Sequence, residues 1–151
     1  MDTFDTSVKM PTYLLAFLVA DFGYTENAQD ENYKIWHQKS KAAQANYAAE
    51  IGPGILKYFE EYFDLAYPLP KMDMAAIPDF SAGAMENWGL ITYRETLLLY
   101  DPDVSAATNK ESVTEVMAHE LAHQWFGNIV TMKWWTDLWL NEGEIKKSLS
   151  F

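Results

Sequence analysis

The chain has 151 residues and a formal charge of −11, which results from 11 basic and 22 acidic side chains. This charge has the wrong sign for binding a phosphate backbone, so nucleic acid is not expected as a partner. Hydrophobic residues make up 49% of the chain, too large a share for an intrinsically disordered protein. Because the chain has no cysteine, any metal must be bound by histidines and carboxylates.

The N-terminal residues and the longest apolar run bear on targeting. The first residues, Met1-Asp2-Thr3-Phe4-Asp5, are acidic where a signal peptide is basic, and the apolar run of residues 13–20 stops at Asp21. A membrane-spanning helix needs about 20 apolar residues. We therefore predict neither a signal peptide nor a membrane span in these residues, and the compartment and oligomeric state stay open.

Two strands are predicted near the N-terminus. Residues 13–20 are apolar and rich in strand-forming side chains between Pro11 and Gly23, a pattern that predicts a strand buried on both faces. Residues 24–32 are polar and predict a joint. Residues 33–37 alternate enough to predict a second strand.

A long helix is predicted to follow, with Ser40 as its N-cap. Alanines fill its first turns, and Gly52-Pro53-Gly54 is predicted to kink or split it. The second half has apolar side chains at three- and four-residue spacing, namely Ile55, Tyr58, Phe59, Tyr62 and Phe63.

The middle of the chain predicts short strands and one loop. Residues 72–77, which end at Pro78, and residues 90–93 predict strands. Residues 79–89 contain two of the seven glycines and predict a loop or sheet edge where the backbone closely approaches another group. Strands mixed with long helices predict an α+β fold.

A second long helix is predicted over residues 109–126. Thr108 and Glu111 form a capping-box pattern at its start, and Gly127 provides the stop.

This helix contains His119-Glu120-Leu121-Ala122-His123. Residues four apart lie on one helix face, so both imidazoles can bind one ion, and Glu120 is angled toward water on that ion. A catalytic zinc site has three protein ligands and one open position, which leaves one ligand to be found.

Glu142, which eighteen residues separate from His123, is the natural third ligand. Thr136 is predicted to cap a further helix. One face of that helix would carry Leu138, Glu142, Ile145 and Leu149.

Simpler interpretations apply to each candidate. The histidine pair could lie on the surface of a structural helix, and Glu86 or Glu142 alone would be an ordinary surface carboxylate. His37 stands alone in a strand and is predicted to be a structural or surface residue. Four tryptophans are predicted to belong to the core rather than to a substrate platform, namely Trp125, Trp134, Trp135 and Trp139.

Two motifs together resemble one known family, the membrane alanyl aminopeptidases, also called the aminopeptidase N family of zinc peptidases. Residues 116–128, followed by Leu138-Trp-Leu-Asn-Glu-Gly143, resemble the zinc signature of that family. Gly83-Ala-Met-Glu-Asn87 resembles its exopeptidase motif. The likeness extends from about residue 10 to residue 143.

The resemblance implies a role for each motif residue. One zinc ion would be bound by His119, His123 and Glu142, with Glu120 as the general base. Glu86 would hold the free α-amino group of a peptide substrate. The substrate-binding segment would comprise Gly83, Ala84, Met85, Glu86 and Asn87.

The resemblance also implies the domain organisation. Residues 1–22 resemble the last strand region of a preceding β-domain. Residues 23–151 resemble the N-terminal part of a thermolysin-like (gluzincin) catalytic domain, a mixed sheet packed on long helices. Because the sequence departs from the family pattern after Gly143, the chain is expected to be a fragment that ends after the third zinc ligand.

The implied function is that of a zinc-dependent aminopeptidase acting on peptides with a free N-terminus. Zinc would polarise the carbonyl and activate water, and Glu120 would pass the proton to the leaving amine. The family's oxyanion-stabilising tyrosine lies further downstream, so these 151 residues alone are expected to have little activity. An inactive zinc-binding fragment or decoy and an endopeptidase remain as alternatives. Family members occur both anchored at the cell surface and inside cells.

Overall fold

The computed structural model describes residues 3–148, without the side chains of Glu144 and residues 146–148. Five strands form one sheet, namely β1 (Phe22–Asn27), β2 (Asp30–Gln38), β3 (Met72–Ile77), β4 (Ala84–Met85) and β5 (Leu90–Arg94). Three α-helices accompany the sheet, namely α1 (Asn46–Phe63), α2 (Ala107–Ala122) and α3 (Leu138–Ser148). Short 3-10 turns occupy Thr12–Leu14, Lys39–Ala45, Glu95–Leu97 and Trp135–Asp137.

The sheet is mixed, with the strand order β1-β2-β3-β5-β4. The pairs β2 with β3 and β3 with β5 are parallel, whereas β1 with β2 and β4 with β5 are antiparallel. In the last pair, Ala84 faces Tyr93 and Met85 faces Thr92, so β4 is an edge strand. The predicted α+β class is confirmed.

The core lies where α1 and α2 pack against the sheet and against each other. Met74 and Ile91 from the central strands, Phe59 from α1 and Met117 from α2 are all fully buried there. This packing positions α2, which carries His119 and ends directly before His123, in the core of the protein. Among the described residues, no helix has both the length and the apolar character needed to cross a membrane.

The predicted strand over residues 13–20 is wrong. Residues Thr12–Leu14 form a 3-10 turn, and the rest of the run has no regular structure, with Phe17 82% and Val19 89% exposed. A strand buried on both faces needs neighbours on both sides, and Leu14 is the one residue of this run that is buried among the described residues. The predicted joint over residues 24–32 is too long, because β1 and the start of β2 occupy all of it except the turn at residues 28–29.

The predictions for the three remaining strands are confirmed. Residues 72–77 coincide with β3, residues 33–37 fall within β2 and residues 90–93 fall within β5. His37 is a buried structural residue, because its ring nitrogens pair with the Thr25 hydroxyl and the Gln38 carbonyl.

The first long helix begins later than predicted and is not split. A 3-10 turn precedes it, so α1 begins at Asn46 rather than at Ser40. Pro53 lies inside α1 and has no N–H with which to pair the Ala49 carbonyl four residues before it. The side-chain amide of Asn27 donates to that carbonyl instead, at 2.8 Å. This substitute partner satisfies the carbonyl that the proline leaves free.

The boundaries of the two later helices also differ from the predictions. Helix α2 begins after Ala106 rather than Thr108, because the Asn109 side chain accepts the Ala106 N–H at 2.8 Å. It ends at Ala122, and residues 123–126 continue as hydrogen-bonded turns. Thr136 lies inside a 3-10 turn rather than at a cap.

Only part of the face predicted for the last helix is buried. Ile145 is fully buried and Leu138 is exposed, whereas Leu149 lies outside the described residues. Of the four tryptophans predicted for the core, only Trp125 is buried. The prediction is wrong for the other three, because Trp134, Trp135 and Trp139 are each more than half exposed.

Candidate metal centre

The last turn of α2 and its C-cap residue bring His119 and His123 together. Their Nε2 atoms lie 3.1 Å apart, as the four-residue spacing predicts. His123 is almost fully buried, and its Nδ1 pairs with the Phe126 carbonyl at 2.9 Å. Because a carbonyl only accepts hydrogen bonds, Nδ1 carries the proton, which leaves the Nε2 lone pair of a neutral ring free for a metal.

Helix α3 adds Glu142 to this pair. Its Oε2 lies 3.5 Å from His119 Nε2, and its Oε1 lies 3.6 Å from His123 Nε2. Two ligands that bind zinc at about 2.0–2.1 Å in tetrahedral geometry are about 3.3 Å apart. The three measured separations therefore fit a single small cation.

Glu120 lies behind this group of three. It forms a second group with Glu86 and His123, whose candidate ligand atoms lie within 4.8 Å of one another. Burial, followed by the carboxylates of Glu86 and Glu142, raises the pKa of Glu120 from 4.5 to about 9. Its Oε2 atom is buried and has no hydrogen-bond partner among the described residues.

His123 therefore belongs to two neighbouring groups, one with His119 and Glu142 and the other with Glu86 and Glu120. Like charges at this distance repel one another, and a cation between them would remove the repulsion and favour the ionised form of Glu120. The donor set of two imidazoles and one carboxylate is typical of zinc sites that keep an open position. The residues present therefore fit a zinc ion.

The predicted substrate-binding segment lies beside this centre. Ala84 and Met85 form edge strand β4, and Gly83 accepts the Arg94 N–H at 2.9 Å just before it. Glu86 follows β4 and is partly buried. Asn87 is buried, and its side chain is used within the protein, since it donates to the Leu14 carbonyl and accepts from the Thr92 hydroxyl.

Tyr13 is a residue of the site that the sequence analysis missed. Its hydroxyl donates to the Gly127 carbonyl at 3.3 Å and accepts from the Asn141 side chain at 3.4 Å, and its ring packs on Trp135. Burial and the Glu86 carboxylate raise the pKa of this hydroxyl. Because these contacts span more than 110 positions, no local pattern indicates them.

Gly127 closes the turn after α2. Its φ of +124° lies in a region that L residues with a side chain rarely adopt, and an added Cβ would lie 3.2 Å from His123 Nδ1. Glycine at this position therefore lets the chain turn back against the candidate ligand.

Comparisons with known proteins agree with the motifs. A family model described as the peptidase family M1 domain matches residues 47–146. The chain is 56% identical over 144 residues to endoplasmic reticulum aminopeptidase 2 of Bos taurus, an alignment that covers 94% of this chain and 15% of that protein.

Two further relatives are similarly close. Glutamyl aminopeptidase of Bos taurus is 57% identical over 143 residues, which cover 93% of this chain and 15% of the relative. Aminopeptidase M1 of Arabidopsis thaliana is 57% identical over 143 residues, which cover 93% of this chain and 16% of the relative. The chain thus spans 15–16% of the length of these curated relatives.

Proposed function

The chain belongs to peptidase family M1, as the two motifs predicted, and on that premise we propose that it carries the zinc-binding part of an aminopeptidase. The observation that carries the proposal is the convergence of His119, His123 and Glu142, with ligand atoms within 4.8 Å of one another. The aminopeptidase names of the relatives support the reaction class.

His119, His123 and Glu142 would hold one zinc ion. When bound, zinc supplies a Lewis acid for the peptide carbonyl and lowers the pKa of water. The Phe126 carbonyl orients the His123 ring for this task, because it fixes the proton on Nδ1 and leaves Nε2 available.

Glu120 is the proposed general base. Its buried Oε2 has no hydrogen-bond partner among the described residues, so no contact within the protein uses its capacity to accept a proton. In its ionised form it takes a proton from the attacking water and then gives that proton to the leaving amine nitrogen, so that it is regenerated.

Glu86 is the proposed anchor for the substrate's N-terminus. Its carboxylate lies near His123 and Glu120, so an ammonium paired with it would place the first peptide bond beside the centre. Edge strand β4 has one side unpaired within the described sheet, and Gly83, Ala84 and Met85 could pair there with an extended peptide. Asn87 would act indirectly, because its side-chain hydrogen bonds to the Leu14 carbonyl and the Thr92 hydroxyl hold the segment that follows β4.

The domain assignment belongs to the same proposal. Residues 1–22 are proposed as the end of a preceding β-domain, and residues 23–151 as the first part of a thermolysin-like catalytic domain. The exposed apolar side chains of residues 15–19 support this division, because they are suited to packing against further protein.

The test compares hydrolysis of leucyl anilide with that of N-acetyl-leucyl anilide by a version extended with the downstream region of an M1 relative. We expect hydrolysis of the free-amine substrate only. Glu120→Gln should abolish turnover and retain zinc, and Glu86→Ala should weaken turnover of the free-amine substrate. Glu111→Gln, an exposed change on the same helix, is the matched control.

Equal turnover of both anilides would favour an endopeptidase. Zinc binding without turnover of either anilide would favour an inactive binding protein. Either result would contradict the proposal.

A further inference from the structure

Two side-chain amides hold the main-chain carbonyl of Glu86. Asn128 Nδ2 donates to it at 2.9 Å, and Gln124 Nε2 donates at 3.4 Å while also donating to the Glu120 carbonyl at 3.2 Å. Both residues are almost fully buried. These amides come from the chain that follows the candidate ligands, and no motif in the sequence analysis assigned them a role.

Asn128 is itself tied to a candidate ligand. Its main-chain N–H donates to the His123 carbonyl at 3.1 Å, and its own carbonyl accepts the Thr131 hydroxyl at 2.8 Å. Two hydrogen bonds through Asn128 therefore connect His123 to Glu86. The connection is short, buried and independent of the sheet.

Glu86 needs such a connection. Strand β4 ends at Met85, one residue earlier, so the ladder with β5 does not extend to Glu86. The amides of Asn128 and Gln124 hold its main-chain carbonyl instead.

We propose that Asn128, assisted by Gln124, is a positioning residue that keeps the Glu86 carboxylate beside the metal centre. The inference rests on the proposed function in one respect, namely that the Glu86 carboxylate recognises a substrate amine. The hydrogen-bonded link itself is a separate claim and can be tested without any substrate.

The first experiment measures amide hydrogen exchange by mass spectrometry in the 151-residue chain. Asn128→Ala should raise exchange in peptides that cover residues 83–90 by about fivefold, because it removes a buried hydrogen bond. Asn27→Ala is the matched control, since it removes an amide-to-carbonyl bond of similar length far from the site. Gln124→Leu is the second variant, which removes the longer bond with little change in volume.

The second experiment uses the zinc-loaded chain with leucine hydroxamate and N-acetyl-leucine hydroxamate as probes. Asn128→Ala should keep zinc affinity within about twofold and reduce the preference for the free-amine probe about tenfold, because the anchor is displaced while the ligands stay in place. A merely structural role would weaken both probes equally.

The outcomes separate the two claims. Unchanged exchange over residues 83–90 in both variants, or an unchanged probe preference in folded Asn128→Ala, would overturn the positioning role. A further outcome is raised exchange in Asn128→Ala while the unmodified chain shows no preference for the free-amine probe. That result would support the hydrogen-bonded link and contradict the proposed amine-binding role of Glu86.

Discussion

His119 Nε2 and His123 Nε2 lie 3.1 Å apart, and each is within 3.6 Å of an oxygen of Glu142. Two ring nitrogens this close require a shared proton or a shared cation between them. The Phe126 carbonyl already holds the proton of the His123 ring on Nδ1, so the Nε2 lone pair of that ring points to the shared position. The closeness of these two nitrogens is the physical basis of the zinc assignment.

Gly127→Ala should damage this centre without replacing a candidate ligand. The new Cβ would meet His123 Nδ1 at 3.2 Å, and the φ of +124° would be strained for alanine. We expect zinc affinity to fall about tenfold, which is typical for the loss of support behind a histidine ligand. A competition titration with a zinc-binding dye measures it. Gly54→Ala, where an added Cβ meets nothing within 4 Å, should leave the affinity unchanged. Equal affinities in both variants would contradict this role of Gly127.

Asn27→Ala should destabilise α1 at its proline. The Ala49 carbonyl would lose the amide that replaces the N–H missing from Pro53, and a buried carbonyl without its partner costs about 1–3 kcal/mol. Urea unfolding followed by circular dichroism measures this loss. Combining Asn27→Ala with Pro53→Ala should recover part of the loss, because alanine restores the N–H. A double variant no more stable than Asn27→Ala alone would contradict this explanation.

The stability of the metal-free chain should fall as the pH rises from about 4.5 to about 9. In this window the folded chain keeps a proton on Glu120, whereas the unfolded chain has released it, so unfolding releases a proton. The slope from this one group is at most about 1.4 kcal/mol per pH unit.

Urea unfolding of the chain in a chelator, at about pH 6 and about pH 8, checks this pH dependence. Glu120→Gln should remove the part of the slope that comes from this carboxyl. Saturating zinc should oppose the loss of stability, because a nearby cation favours the carboxylate. Identical slopes in the unmodified chain and in Glu120→Gln would show that Glu120 does not titrate in this window.

The local parts of the site could be predicted from the sequence because helix geometry determines them. His119 and His123 share a face through their spacing alone, and strand β3 is enclosed between Pro70 and Pro78. Glu142 could be predicted from its spacing to His123, but its approach to the histidines depends on how α3 packs against α2, which no local pattern determines.

What sequence reasoning missed depends on distant neighbours. The run of residues 13–20 has the composition of a buried strand, but composition does not reveal which surfaces are present to cover it. Ala106 takes the N-cap position predicted for Thr108, and Asn109 takes the role predicted for Glu111, because its side chain accepts the Ala106 N–H. The contact of Tyr13 with Asn141 joins residues 128 positions apart, and the motif around Glu142 does not indicate that Asn141 contacts Tyr13.

The most direct test is the zinc content of the purified chain after equilibrium dialysis, measured by mass spectrometry of the metal. The unmodified chain and Glu120→Gln should each bind about one zinc ion, because the proposed role of Glu120 is to act on water and not to bind the metal. His119→Ala, His123→Ala and Glu142→Ala should lose most of it, whereas Glu111→Gln should bind like the unmodified chain. Loss of zinc from Glu120→Gln as complete as that from His123→Ala, or full retention in His123→Ala, would contradict the assigned ligands.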